Sequence, residues 1–174
     1  MIEAEIKAKI DKSILDKFKE LGLEKQKESI QSDIYYNHPC RDFRETDEGV
    51  RVRDREESGL AFYYKSGKVD PDTKSRREYK TPVNSDIYKI LKNIGFTEFM
   101  TVKKKRSYYT LDDVKITYDE VEGLDLYMEL EVSADEESMD EAKERLFAAL
   151  EKLGVPKSAL TRKSYLELIL ESKK

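Results

Sequence analysis

The chain opens on residues that alternate without a break. Ile2, Ala4, Ile6, Ala8 and Ile10 hold one set of positions; Glu3, Glu5, Lys7 and Lys9 hold the other. Successive side chains of a strand point to opposite faces, so this pattern predicts a strand over 1–10 with one apolar and one charged face. The texture returns in a predicted strand over 126–132, where Met128, Leu130 and Val132 alternate with Glu129 and Glu131. Between the two, strands are predicted over 28–36, 50–55, 60–65, 76–81, 101–111 and 114–121. In these, Val50 and Val52 oppose Arg51, Arg53 and Arg55. Leu60, Phe62 and Tyr64 oppose Ala61, Tyr63 and Lys65. Val114, Ile116 and Tyr118 oppose Lys115, Thr117 and Asp119. The register of 76–81 stays open, because Arg76 and Arg77 are adjacent.

The period changes to that of a helix at four places. Asp11 can cap a helix over 12–21, with Ile14, Leu15, Phe18 and Leu21 on one stripe and Gly22 as its stop. Asn84 or Ser85 introduces a stripe of Ile87, Ile90, Leu91 and Ile94 that ends at Gly95. Ser133 and Glu136 fit a capping box ahead of a helix carrying Met139, Ala142, Leu146, Ala149, Leu150 and Leu153. A short helix is expected over 163–171. The segment from Asn37 to Gly49 reads as a loop, with His38 a loop residue beside Pro39, and 67–75 reads as a mobile loop. The class is α+β. Strands charged on one face and apolar on the other can close into a barrel with the charge inside and helices covering the outside. The alternative is an open sheet whose charges face water and pair across strands.

Composition narrows the setting. At 174 residues the chain fits one domain with a substantial core. Charged residues make up 40% of it, yet the net charge is only −4, so charges interleave and no basic excess marks a nucleic-acid binder. Cys40 is the sole cysteine and cannot form an internal disulfide, which fits a reducing cytoplasm. No apolar run reads as a signal peptide or a membrane span, so no membrane partner is expected.

Placed together, the charged faces hold acids (Glu3, Glu5, Asp119, Glu129, Glu131) and bases (Lys7, Arg51, Arg53, Lys65, Arg76, Lys104, Arg106). Inside a barrel such groups must be paired, hydrated or ligated. Carboxylate oxygens suit Mg²⁺ or Mn²⁺. Guanidinium forks and ammonium groups suit phosphate oxygens. A lumen with both reads as a site for a metal-bound polyphosphate.

These residues resemble a known family. Glu3-x-Glu5-x-Lys7 resembles the ExExK signature of the CYTH superfamily, the triphosphate tunnel metalloenzymes, which include class IV adenylyl cyclases and thiamine and inorganic triphosphatases. Arg51-x-Arg53, the strand ending at Lys65, Arg76-x-Glu78, Lys104-x-Arg106, the strand ending at Asp119, Glu129-x-Glu131 and Ser164-Tyr165-x-Glu167-Leu168 follow in the family's order. The resemblance implies a single domain over 1–174, built as an eight-stranded antiparallel β-barrel with helices packed outside. It implies Glu3, Glu5, Asp119, Glu129 and Glu131 as ligands of Mg²⁺ or Mn²⁺. Lys7, Arg51, Arg53, Lys65, Arg76, Lys104, Arg106 and, at a tunnel mouth, Lys163 would hold the triphosphate, with Lys7, Lys65 and Arg106 the catalytic residues among them. The expected partner is a small-molecule triphosphate, and the expected assembly a monomer or homodimer. Class IV cyclases often carry a His-Phe pair before ExExK, and here only Met1 and Ile2 precede Glu3. That tilts the expected reaction toward hydrolysis, with cyclisation of ATP the alternative and non-catalytic polyphosphate binding the second.

Overall fold

Every alternating segment of the sequence forms a strand, and the alternation decides which side chains face in. The computed structural model describes residues 2–173, so Met1, at the head of the first predicted strand, lies outside it. The strands are β1 (Ile2–Ile10), β2 (Lys27–Asn37), β3 (Gly49–Arg55), β4 (Gly59–Lys65), β5 (Arg76–Pro82), β6 (Thr97–Leu111), β7 (Val114–Val121), β8 (Leu126–Ala134) and the short β9 (Leu160–Thr161). Four helices join them: α1 (Ile14–Glu20), α2 (Asp86–Asn93), α3 (Met139–Lys152) and α4 (Tyr165–Ser172). Neighbours pair antiparallel in the order β5-β4-β3-β2-β6-β7-β8-β1, and β5 pairs back onto β1. The result is a closed eight-stranded barrel, with β9 added along the edge of β1.

One edge of β1 pairs with β8 along its whole length, from Ile2↔Ala134 to Ile10↔Leu126. The other edge is completed in pieces. Ile2 and Glu3 pair with Arg77 and Arg76 of β5, and Lys7 and Ala8 with Thr161 and Leu160 of β9. Between them the Lys74 N–H donates to the Glu5 carbonyl at 2.8 Å, and the Glu5 N–H donates to Ser75 Oγ at 3.3 Å. The segment expected to be a mobile loop therefore ends as part of the wall. Thr73, Lys74 and Ser75 are all buried. Its outer part is tied down too: Lys143 of α3 reaches Asp70 and Asp72, and Arg162 donates to the carbonyls of Thr73 and Asp70.

Outward-facing residues form the cores. Ala4 and Ile6 of β1, Ile116 and Tyr118 of β7, and Met128 and Leu130 of β8 pack with Phe18 of α1 and Leu146, Ala149 and Leu150 of α3. Leu91 of α2 covers Tyr36, Val50 and Val52 on the opposite side. Each fully buried Leu or Ile contributes about 1.5–3 kcal/mol, so the cohesion that a charged lumen cannot supply comes from outside the barrel. Helix α4 departs from the expected outside packing. Its Tyr165 and Ile169 pack against Val102, Val121 and Tyr127, which by register share the inward face with Lys104, Asp119 and Glu129. The capping box also moves. Ser133 lies within β8, and Asp135 instead accepts from the N–H groups of Glu137 and Ser138 ahead of α3. The capping box of this chain is Ser164 with Glu167, which starts α4.

Candidate active site

The inward positions line a cavity of about 420 Å³. Glu3, Glu5, Lys7, Arg51, Arg53, Lys65, Arg76, Lys104, Arg106, Glu129 and Glu131 all border it. The open register of β5 is resolved: Arg76 turns in, and Arg77 turns out to Glu136.

The wall of β2, β3 and β6 is basic and braced by one acid. Asp33, 1% exposed, receives a two-pronged fork from Arg53, with Nε and Nη2 each 2.6 Å from a carboxylate oxygen. Arg51 stands 3.5 Å away and Lys104 3.9 Å. Burial would raise the Asp33 carboxyl, but Arg53 and Arg51 hold it far below the ordinary carboxylate range. Lys104 is pushed well down by burial and then by Arg106 and Arg53. Tyr63 lies within the same cluster, its ring 4.8, 5.2 and 5.7 Å from the guanidinium carbons of Arg51, Arg53 and Arg55. Arg51 Nε is buried with no hydrogen-bond partner among the described residues.

The seam of β1 and β8 is acidic. Glu5 lies directly opposite Glu131, and Lys7 opposite Glu129. Lys65 donates to Glu3 at 2.6 Å and stands 2.8 Å from Glu78. Lys7 Nζ is 3.2 Å from Glu129 and packs 3.4 Å from the Tyr165 ring centroid. Burial, with Lys74 nearby, brings the Lys7 ammonium down to about 7. Burial also acts to raise Glu129, yet Lys7, Arg106 and Lys74 together hold it well below its usual range. Burial and then Glu129 raise the Glu5 carboxyl, and Glu131 moves the same way. Its nearest cation is Arg106 Nη1 at 3.9 Å, and burial followed by the charges of Glu3, Glu5 and Glu129 pushes it up to about 8.

Two predicted residues are not brought into the lining. Asp119, fully buried, is spent on structure: it takes a fork from Arg106 at 2.7 and 2.5 Å and accepts from the Tyr165 hydroxyl. It orients a base of the lumen and does not border the cavity with Glu3, Glu5, Glu129 and Glu131. The Lys163 ammonium bonds Glu171 at 2.7 Å on the surface, and only its backbone carbonyl reaches the lumen, accepting from Lys7 Nζ at 3.2 Å. Among the residues at or just behind the lining that went unforeseen are Asp33, Lys74 and Tyr165. Asp33 is a lone acid in a strand of mixed polarity. Lys74 lies in a segment without alternation. Tyr165 sits in the motif Ser164-Tyr165, where a buried aromatic at a helix start was the available signal.

The residues present fit a divalent cation. Hard oxygens of Glu3, Glu5, Glu129 and Glu131 line one side of the cavity, and Glu131, opposite Glu5, has no counter-ion in hydrogen-bonding reach. Among the described residues, no three acidic, imidazole or thiol side chains stand close enough as they are to share one ion. Lysines intervene: Lys65 lies between Glu3 and Glu5, and Lys74 between Glu5 and Glu129.

Comparison with known proteins agrees with this geometry. The chain is 40% identical over 173 residues to a Methanocaldococcus jannaschii protein provisionally named adenylate cyclase MJ0240, covering 97% of this chain and 98% of that one. Among solved structures it resembles the PH1819 protein of Pyrococcus horikoshii OT3, with a TM-score of 0.89, 38% identity and 99% of each chain covered. A Hippeastrum protein described as having a dominant triphosphatase activity shares the fold alone, at a TM-score of 0.66 and 14% identity over 98% of this chain and 95% of that one. The sequence matches the CYTH domain over residues 1–165, the stretch that builds the barrel and carries Tyr165 into it: the chain belongs to the CYTH family.

Proposed function

We propose that the chain is a divalent-metal-dependent phosphohydrolase that cleaves a triphosphate held in its lumen. The observation that carries this reading is the two-sided cavity, with carboxylates of β1 and β8 facing the guanidinium and ammonium groups of β3, β4, β5 and β6. Glu3, Glu5, Glu129 and Glu131 would hold Mg²⁺ or Mn²⁺. The bound ion would neutralise phosphate charge and lower the pKa of a water.

The basic wall does the positioning. Arg51, Arg53, Lys65, Lys104 and Arg106 present donors to the non-bridging oxygens, and the unpartnered Arg51 Nε is satisfied by one of them. Asp33 and Asp119 pre-set the planes of Arg53 and Arg106, so little reorganisation accompanies the reaction. Water attacks the terminal phosphorus, the bond to the bridging oxygen breaks, and the basic wall stabilises the charge gathering on the departing diphosphate. Tyr63, the aromatic residue at the centre of that wall, already serves to order three arginines and not to stack on a base.

Cyclisation of ATP is the second reading, and the name of the Methanocaldococcus jannaschii relative favours it. Inorganic triphosphate separates the two, because it has no ribose hydroxyl to cyclise. With Mg²⁺ or Mn²⁺, the hydrolase yields diphosphate and orthophosphate from it. Cyclic AMP and pyrophosphate from ATP, with inorganic triphosphate left intact, would establish the cyclase.

A further inference from the structure

We infer that Lys74 is an internal counter-ion of the carboxylate seam, which leaves Glu5 and Glu129 when a divalent cation binds and then donates to the triphosphate. The inference rests on the function proposed above and adds a residue and a sequence of events to it. Its ammonium lies 2.5 Å from Glu5 Oε1 and 3.4 Å from Glu129 Oε1, so it bridges two carboxylates that face the cavity and sits closer to Glu5. Among the described residues, no other lysine bridges that pair. Lys7 reaches Glu129, and Lys65 reaches Glu3 with Glu5 at 3.8 Å.

The origin of Lys74 matters as much as its contacts. The lumen residues Lys7, Lys65, Lys104 and Arg106 project from regular strands whose Cα positions are fixed by ladders on both sides. Lys74 projects from the irregular segment that fills the gap in the β1 edge between β5 and β9. The segment is anchored at its outer end by Lys143 and Arg162 and at its inner end by the Lys74 N–H on the Glu5 carbonyl. The backbone is thus held while the long side chain keeps its rotatable bonds. A buried ammonium cannot share a carboxylate pair with a dication at close quarters, since like charges in low dielectric repel strongly. Once displaced, it remains inside a cavity whose remaining volume the triphosphate fills, and a phosphate oxygen offers the nearest exchange of one anion for another.

Calorimetry with Mn²⁺ alone tests this on the folded full chain. The Lys74→Met variant should bind Mn²⁺ roughly tenfold more tightly than the parent, since the competing charge is gone, a change within the ordinary range of coupling between two ligands of one site. With Mn²⁺ saturating, the same variant should bind inorganic triphosphate roughly tenfold more weakly. Lys74→Arg, which keeps the charge, should stay near the parent in the first titration. Equal Mn²⁺ affinity in parent and Lys74→Met, with Glu131→Gln weakening it, would overturn the counter-ion role while leaving the metal site intact. Absence of Mn²⁺ binding in the parent would overturn both. Should Lys74→Met fail to fold, a crystal structure of the parent with Mn²⁺ and inorganic triphosphate decides the matter. Lys74 Nζ on a phosphate oxygen supports the inference, and Lys74 Nζ still on Glu5 and Glu129 beside bound Mn²⁺ refutes it.

Discussion

Asp33 and Glu131 are carboxylates on the inward face of one barrel, Asp33 buried behind the lining and Glu131 part-buried at the cavity itself, and their surroundings have opposite characters. Asp33 sits among Arg53, Arg51 and Lys104, with a fork at 2.6 Å, and is held ionised. Glu131 sits among Glu3, Glu5 and Glu129, with its closest cation at 3.9 Å, and is pushed up to about 8. The first carboxylate completes the protein. The second is left with like charges around it, and in the proposed function a bound cation would complete it. A buried charge satisfied by its own fold reads as architecture, and one left facing like charges reads as a place for a ligand.

The largest effect should come from breaking the satisfied side. Asp33→Asn leaves guanidinium groups in the wall without their anion and should lower stability by about 3–5 kcal/mol, the usual consequence of removing one partner of a buried pair. Denaturant unfolding would show it. A loss under about 1 kcal/mol would mean that water, not Asp33, neutralises the wall.

Glu131→Gln should do the reverse. It removes a repelled charge, so the metal-free protein should melt no lower than the parent, while turnover of triphosphate should fall about a hundredfold. The pH dependence sharpens the contrast. The folded protein holds the Glu131 proton up to about 8, against an ordinary value of 4.5. This group therefore favours the metal-free fold fully below about 4.5, and the advantage is lost as pH rises through about 8. A dication competes with that same proton, so Mn²⁺ affinity should climb up to about tenfold per pH unit between about 6 and 8 and flatten above. In Glu131→Gln the climb should be gone. A parent affinity flat from about 6 to 8 would show that Glu131 is not a ligand.

The smallest effect lies between the two regions. Tyr165→Phe deletes the hydroxyl that donates to Asp119 but leaves the Arg106 fork in place. It should lower stability by about 1.5 kcal/mol, the low end for a hydrogen bond to a charged group, and raise KM more than it lowers kcat. A fall in kcat alone would assign Tyr165 to the chemistry instead.

The parts of this molecule that alternate were legible in the sequence. Period two separates Ile6 from Lys7 and Leu130 from Glu131 without any knowledge of partners, and the barrel follows once such strands close. Partnership was not legible. Asp119 and Glu129 look alike as strand acids and both receive Arg106, yet Asp119 lies behind the lining with the Tyr165 hydroxyl on it while Glu129 borders the cavity. Lys163 looked like a mouth residue, but Glu171, eight residues on and on the surface, takes its ammonium. Lys74 escaped because irregular backbone carries no period, and Ser133 was read as a cap because a capping box can be spelled by residues that end a strand. Each of these is decided by a contact distant in sequence or by backbone that no local pattern describes.

The pieced edge of β1 has a consequence for how the chain comes into being. On a ribosome β1 is made first, and β5 and residues 73–75 follow well before β8 and β9. One flank of β1 must wait until residue 134 has emerged, and β9 supplies its last two pairings only with residues 160 and 161. At about 5–20 residues per second that wait lasts roughly ten to thirty seconds. Throughout it, a strand of Ile, Ala, Glu and Lys stands with unpaired N–H and C=O groups. Its alternating charges keep such an edge from adhering to a neighbouring nascent chain. Glu3, Glu5 and Lys7 thus act twice, first with Lys9 as gatekeepers of an open strand and afterwards as the lining of a closed tunnel.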